Sequence, residues 1–435
     1  MKILIETLGC PKNFNDTQVA KGFLIDANHE IAQTPEEADV IMINTCGFIN
    51  DAKKESIERI FDFCEYKASG KKIIVSGCLA KRYADELFEE MPEVDCFIGV
   101  NEYEQLPEIL ENLEKRQKVV TDCFADVLPR MKRKLDDNPF SSTLKIAEGC
   151  NNRCAYCVIP SIRGEYRSKK IEDVLDEAQE LAQAGCKELI LIAQDVTNYG
   201  IDLYGQYKLS ELLRKLCRID GIKWIRLMYC YEDRITDELI DVMASEPKIC
   251  KYIDIPIQHA SDAVLKAMRR RSTEASIENT IERLRAKIPD IHIRTTFIVG
   301  FPGETDDDYE KLYAFVDKMR FARLGVFAYS QEENTPAGEM ENQIDEEVKE
   351  ERLDGIMRRQ LDISLELNKE KIGQTLEVLV EEQDEDGSWL GRSRYDAPEI
   401  DNSVIFTSNR DLQPGDIVSV QINDAFDYDL VGVEV

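Results

Sequence analysis

The first 115 residues are punctuated by short apolar runs, "KILIETLG", "DVIMINTCG" and "KKIIVSGC", each closing on Gly or Cys. Amphipathic stretches near 16–27, 51–68 and 80–90 separate them, and "VDCFIGV" has the composition of a fourth strand. Alternation of strand and helix signals implies a parallel sheet with helices on its faces. Residues 124–140 lack periodicity, carry two prolines and read as a linker. Over 141–340 the alternation resumes, with strands expected at "TLKIAEG", "ELILIAQD", "WIRLMYCY", "YIDIPIQH", "IHIRTTFIVG" and "RLGVFAYS". Six strand–helix units fit a complete or partial (β/α) barrel whose working face is the carboxyl ends of the strands. An open doubly wound sheet fits the same periodicity. Residues 342–371 form one long amphipathic helix, and 372–435 change to strand alternation with the turn signals "DEDGS" and "QPGD". The expected organisation is therefore an N-terminal α/β domain (1–123), a linker (124–140), a barrel-like domain with its trailing helix (141–371) and a small antiparallel β-barrel (372–435).

Composition narrows the setting. No apolar run approaches the roughly eighteen residues of a membrane helix. "MKILIETLGC" is broken by Glu6 and reads as a strand rather than a leader. The expectation is a cytoplasmic protein with no membrane partner. Thirteen cysteines and only three histidines, in a chain with no secretion signal, favour metal or redox use over a disulfide framework. The net charge is −30, and residues 372–435 hold three basic residues against fifteen acidic ones, a net of −12. Such a surface repels a phosphate backbone and suits a basic protein partner.

The chemistry concentrates in "GCNNRCAYC", where Cys150, Cys154 and Cys157 are spaced C-x3-C-x2-C directly after the first strand of the second domain. Soft thiolates select zinc, copper(I) or iron–sulfur clusters. Structural zinc sites favour duplicated C-x2-C pairs, and no second pair lies nearby. A cubane cluster normally takes four cysteines, so three leave one iron open to a ligand. In the first domain Cys10, Cys46 and Cys78 each stand just past an apolar strand and beside a glycine. The carboxyl ends of strands in an open parallel sheet are where ligands bind. From spacing alone these three are equally readable as core cysteines or as a second open site. Cys64, Cys96, Cys123, Cys186, Cys217, Cys230 and Cys250 are scattered singly and read as packing or surface residues.

The C-x3-C-x2-C spacing, with Tyr156 before the last cysteine, resembles the radical S-adenosylmethionine (SAM) superfamily. "GCPKN", "INTCGF", "SGC", "GCNNRCAYCVIPSIRG" and "GFPGET", in this order over essentially the whole chain, resemble the methylthiotransferases. That resemblance implies an N-terminal domain with an auxiliary 4Fe–4S cluster on Cys10, Cys46 and Cys78. It further implies a partial (β/α)6 radical SAM barrel with a second 4Fe–4S cluster on Cys150, Cys154 and Cys157, and a C-terminal TRAM domain. Four segments are similar to the protein-modifying RimO type rather than the tRNA-modifying enzymes: "CPKN", "AQDVTNYG" with Asp195, "IQHASD", and "YSQEENTPA" with Glu332.

The implied reaction is methylthiolation of an aspartate β-carbon in small-subunit ribosomal protein S-twelve. Two SAM molecules are used: one donates a methyl group to sulfur, and the other yields a 5′-deoxyadenosyl radical. The implied partners are that ribosomal protein, free or within the small subunit, and an electron donor such as flavodoxin or ferredoxin. Methylthiolation of an adenosine in tRNA is the alternative; a cluster carrier or redox sensor is the non-enzymatic one. The implied SAM contacts are Tyr156, Gln194, Asp195, Gln258, Ile298, Gly300 and Glu304. No catalytic residue beyond the cluster ligands is indicated. The basic run Arg269–Arg271 reads as a solvated helix end, with contact to a carboxylate as the alternative.

Overall fold

In the computed structural model, which describes residues 1–135 and 139–435, the expected α/β architecture is present. Residues 136–138 of the expected linker lie outside the described residues. The chain divides into two compact units. Of the described residues, one comprises 1–135, 147–170 and 330–338; the other comprises 139–146, 171–329 and 339–435.

The first unit is built on six strands: β1 (Lys2–Thr7), β2 (Glu30–Ile31), β3 (Val40–Thr45), β4 (Lys72–Gly77), β5 (Cys96–Ile98) and β6 (Gln117–Val119). All pair in parallel, in the order β2-β1-β3-β4-β5-β6. The pattern announced four of them. β2, "EI", and β6, "QKV", are short and part polar, whereas the equally short β5, "CFI", is an apolar run. β3 is buried along its whole length, as a central strand covered on both faces must be. Helices α1 (Pro11–Asp26), α2 (Asn50–Cys64) and the short α3 (Cys78–Arg82) follow β1, β3 and β4. The strand order reverses between β1 and β3, which creates a topological switch point, and a crevice, outside their carboxyl ends. Cys10 and Cys46 lie at this crevice.

The chain next forms β7 (Ser141–Lys145), which belongs to the second unit. It returns to the first for a two-stranded ribbon, β8 (Ala147–Glu148) and β9 (Arg167–Ser168), which brackets the C-x3-C-x2-C loop. The second unit continues with β10 (Glu188–Ile192), β11 (Trp224–Leu227), β12 (Ile249–Gln258), β13 (His292–Val299) and β14 (Arg323–Ala328). These pair in sequential order with β7, all in parallel. An order without reversal is that of a barrel wall wound in one direction, which excludes the doubly wound alternative; the six strands form an open, partial barrel.

The long helix Glu346–Lys369 follows, and then the five-stranded closed barrel β15 (Thr375–Gln383), β16 (Trp389–Ser393), β17 (Val404–Thr407), β18 (Ile417–Ala425) and β19 (Leu430–Glu434). Its pairings are antiparallel except β17–β19. This small barrel packs on the amino ends of the partial barrel's strands, opposite the mouth. Leu379 and Ala397 join Ile190, Trp224 and Tyr252 in one apolar cluster. The Trp224 indole donates to Glu377 at 3.0 Å.

Electrostatics reinforce the junction. Glu188, the first residue of β10, is fully buried between Arg226 at 2.8 Å and Arg392 of β16 at 2.6 Å. Burial alone would raise its carboxyl pKa. The two guanidiniums, with hydrogen bonds from Arg392 and Ser141, outweigh that and hold it down at about 2. Among the described residues no helix is long and apolar enough to cross a membrane.

Because the folded pKa lies below the unfolded one, the stabilisation from Glu188 is complete above about pH 4.5 and is lost as pH falls towards 2. Glu188→Gln is expected to destabilise the protein by ~3–5 kcal/mol at neutral pH, because the Arg226 guanidinium is left buried without its counter-charge and Arg392 keeps only Glu381. Urea denaturation at pH 7 and pH 3 checks this: the difference between variant and parent should shrink at the lower pH.

Candidate active site

Three strand ends of the first unit converge because small residues let them. Gly9 has φ +94°, and a Cβ placed on it would stand 2.8 Å from Cys46 Cβ and 3.1 Å from its Sγ. Only glycine admits the Cys10 and Cys46 loops so close together. Gly77 (φ +93°) would likewise strike the Thr45 carbonyl at 2.5 Å, and it places Cys78 beside the same crevice. The loops are then tied by side-chain amides and hydroxyls. Asn13 donates to the Leu8 and Thr45 carbonyls at 2.8 and 3.1 Å. Asn44 donates to the Asn13 carbonyl at 2.9 Å. The Cys46 backbone exchanges hydrogen bonds with the Ser56 hydroxyl at 3.1 and 2.9 Å.

Cys10, Cys46 and Cys78 are near enough to act on one another electrostatically. Burial, chiefly, pushes the Cys46 thiol up to about 11 and raises Cys78 as well. Such thiols keep their protons until a cation replaces them.

Cys150, Cys154 and Cys157 form the second set. Gly149 (φ +80°) leads into the loop, where a Cβ would lie 2.0 Å from the Glu165 carbonyl oxygen. The Cys150 amide donates to the Gly164 carbonyl (3.1 Å), the Cys157 amide to the Cys154 carbonyl (3.1 Å), and the Ala337 amide to the Ala155 carbonyl (2.9 Å). Burial raises the Cys157 thiol pKa, and Cys154 and Cys150 add to the rise.

Among the described residues no three His, Cys, Asp or Glu side chains are arranged to hold a single metal ion. A cubane attaches each thiolate to a different iron and so needs wider spacing than one ion does. An all-thiol donor set on loops with glycine-enforced close approach fits such a cluster. Of the other cysteines, Cys96, Cys186, Cys217, Cys230 and Cys250 are buried, Cys64 is half-buried and Cys123 is exposed.

Sequence reasoning missed the residue that joins the two sets. Arg163, in "PSIRG", is 1% exposed. One guanidinium nitrogen donates to Asp16 at 2.7 Å and Glu148 at 2.6 Å. The other donates to Asn13 Oδ1 at 2.9 Å and Cys78 Sγ at 3.3 Å. Cys78 also packs with Val100, Val158 and Ile162. An Arg beside a Gly at the end of a cysteine motif was the available signal, but its partners lie up to 150 residues away in the chain.

In the second unit the expected SAM contacts lie at or near the carboxyl ends of β10, β12 and β13. Gln194 follows β10, and neither atom of its buried amide group has a hydrogen-bond partner among the described residues. Asp195 beside it is committed, bonding Arg234, the Thr197 hydroxyl (2.6 Å) and the Asn198 amide (3.1 Å). Gln258 ends β12 at φ +77°, a left-handed conformation uncommon for this residue type.

Ile298 lies within β13, and Gly300 just past it has a packing duty: a Cβ there would meet Lys349 Cγ at 2.2 Å. Glu304 is buried, accepting from the Phe301 amide (3.1 Å) and from Arg352 (2.9 Å), with His259 Nε2 3.6 Å away. Tyr156 belongs to the first unit, in the cysteine loop. The run Arg269–Arg271 is not wholly solvated: Arg270 is buried, pairs with Glu232 at 2.9 Å and donates to the Pro256 carbonyl at 3.1 Å. Glu232 itself requires that cation once it leaves water.

Glu332, read as a marker of substrate type, is in the first unit a buried clamp. It pairs with Lys53 at 2.8 Å and Arg82 at 2.7 Å and accepts from the Ser330 hydroxyl at 2.8 Å.

The chain matches the radical SAM superfamily over residues 144–316, an uncharacterized protein family (UPF0004) over 2–99 and the TRAM domain over 372–435. It is 50% identical to the ribosomal protein uS12 methylthiotransferase RimO of Clostridioides difficile, with 99% of this chain and 98% of that protein covered. It is 49% identical to the RimO of Desulforamulus reducens, with 98% of each covered. Among solved structures, the radical SAM methyltransferase TsrM from Kitasatospora setae superposes with a TM-score of 0.57 at 14% identity, over 78% of this chain and 74% of that one. The cobalamin-dependent radical SAM enzyme OxsB does so with 0.51 at 14%, over 82% and 56%. These two likenesses bear on the fold alone.

Glu332→Gln keeps the shape of the clamp but leaves Lys53 and Arg82 only the longer, half-exposed pairing with Glu333, at 3.9 and 3.8 Å. A loss of about 3 kcal/mol is expected, read as a lower urea midpoint for the first unit. Glu333→Gln, at a half-exposed neighbour, should cost well under 1 kcal/mol.

Proposed function

The chain belongs to the radical SAM methylthiotransferases of the RimO type, and from that membership we propose that it methylthiolates the β-carbon of an aspartate in ribosomal protein uS12. The proposal assigns one 4Fe–4S cluster to Cys150, Cys154 and Cys157, and an auxiliary one to Cys10, Cys46 and Cys78. The observation that carries the two-cluster reading is the switch point of the N-terminal sheet. Two of its cysteines fall at the strand ends where such sheets bind ligands, and the third follows the adjacent strand.

When bound, the clusters and SAM supply electron transfer, radical formation and sulfur. The chain's own residues hold and orient. Each cysteine set offers three thiolates, leaving one coordination position for a ligand other than protein. Gln194 presents an unsatisfied amide at the barrel mouth, suited to a polar group of SAM, since a buried unpaired amide is costly unless a ligand completes it. Tyr156, Asp195, Gln258, Ile298, Gly300 and Glu304 complete the proposed SAM surroundings, with Asp195, Gly300 and Glu304 acting through the backbone and neighbours they fix. Two SAM molecules are consumed per product, and a flavodoxin- or ferredoxin-like protein provides electrons.

The acidic small barrel supports a basic protein substrate over tRNA. Part of its charge is spent internally: Glu377, Glu381, Asp396 and Asp401 bond Trp224, Arg392, Arg323 and Tyr252. What remains outward still repels phosphate.

The reconstituted protein is expected to hold eight irons and eight acid-labile sulfides per chain, about two cubanes; four of each would refute the two-cluster reading. Cys150→Ala should abolish 5′-deoxyadenosine formation from SAM and a reductant. Cys46→Ala should retain it while losing methylthiolated product. Mass spectrometry of uS12 and of tRNA from a deletion strain decides the substrate: loss of the methylthio mass from tRNA alone would overturn the assignment.

A further inference from the structure

We propose that Arg163 is a positioning residue that sets the reduction potential of the auxiliary cluster. The inference rests on the reading that Cys10, Cys46 and Cys78 hold a cubane. Its own ground is the contact of a buried guanidinium with a thiol sulfur, Nη2 to Cys78 Sγ, at 3.3 Å.

Hydrogen bonds to cluster sulfurs and net local charge are two of the levers by which a protein sets cluster potential. Arg163 uses both in the same direction, and its carboxylate partners oppose it. Its charge and N–H face Cys78 and stabilise the added electron of the reduced cluster, which raises the potential. Behind it, Asp16 and Glu148 bond the other nitrogen at 2.7 and 2.6 Å and return negative charge to the same buried region, which lowers it. All three residues are at most 5% exposed, so water screens neither effect strongly.

Geometry leaves the guanidinium little freedom. Asn13 Oδ1 accepts from the same nitrogen that reaches the sulfur, and the Asn13 amide nitrogen is itself held by the Leu8 and Thr45 carbonyls. The backbone next to Arg163 is fixed as well, since the Gly164 carbonyl accepts from the Cys150 amide. A side chain rooted at one cysteine set is thus aimed at a sulfur of the other. This arrangement tunes one cluster without supplying it a ligand.

The test uses the full chain with Cys150, Cys154 and Cys157 all replaced by Ala, so that only the first set can hold iron. It is reconstituted with ferrous iron and sulfide and titrated against dithionite with electron paramagnetic resonance as the readout of the one-electron couple. Arg163→Gln in this background is expected to lower the midpoint by about a tenfold change in the reduced-to-oxidised ratio, ~59 mV for one electron. Asp16→Asn, which keeps the acceptor but removes the charge, is expected to raise it. Arg163→Lys, with charge but no fork, should fall between parent and Arg163→Gln.

A side chain with only a structural role would give shifts of one sign, or loss of cluster without a shift. Shifts of the same sign in Arg163→Gln and Asp16→Asn, or none in either, overturn the inference. If Arg163→Gln fails to retain iron, Asp16→Asn alone decides: no rise refutes it. A parent without iron removes the two-cluster reading and this inference with it, whereas a parent with four irons and unmoved midpoints removes the inference alone.

Discussion

A guanidinium taken out of water must be met on every side by acceptors, and Arg163 is the place where the first unit meets that demand. Its acceptors come from helix α1, the β4–α3 junction and the ribbon strand β8, three segments far apart in sequence. None of them can move without exposing an unpaired charge, a penalty of several kcal/mol in a buried setting. The convergence of the strand-end loops, made sterically admissible by Gly9 and Gly77, becomes a single defined arrangement through this one cation.

The sequence made the architecture legible wherever burial imposes a period. β3 and β10 are buried along their length and read as apolar runs with polar residues only at one end, Asn44 and Thr45 in β3 and Glu188 in β10. The helices after β1 and β3 overlap their expected ranges, whereas the one expected over 80–90 is two, Cys78–Arg82 and Ala84–Glu90. The edge strands β2 and β6 were invisible, because "EI" and "QKV" are short and part polar, whereas the equally short β5, "CFI", is wholly apolar. The order of the strands was equally hidden. Alternation of strand and helix is common to sheets that reverse and sheets that do not, and the chain contains one of each.

At the site, residue type and spacing announced the cysteines, because thiolates in a short motif have few other uses. They could not announce the groups whose role depends on distant partners. Nothing next to Arg163 in "PSIRG" or to Glu332 in "SQEEN" marks either charge for the interior, yet both are buried and doubly paired. Glu332 was noticed for its likeness to a family pattern and turns out to clamp Lys53 and Arg82. The surface charge of the last 64 residues was read correctly in sign. Its availability was overstated, because several carboxylates face inward to bind Trp224, Arg392, Arg323 and Tyr252.

Glu188 carries a consequence of a different kind. A strand such as "ELILI", buried on both faces, has no polar side to tell it which residue pairs with which neighbour; slid by one position it would bury nearly the same oil. A single carboxylate at its first position breaks that degeneracy. Only one alignment brings Glu188 between Arg226 and Arg392, and every other strands a charge in the interior. The ion pair thus acts as a registration mark, fixing how far β10 is threaded and so the depth at which Gln194 emerges at the other end of the strand.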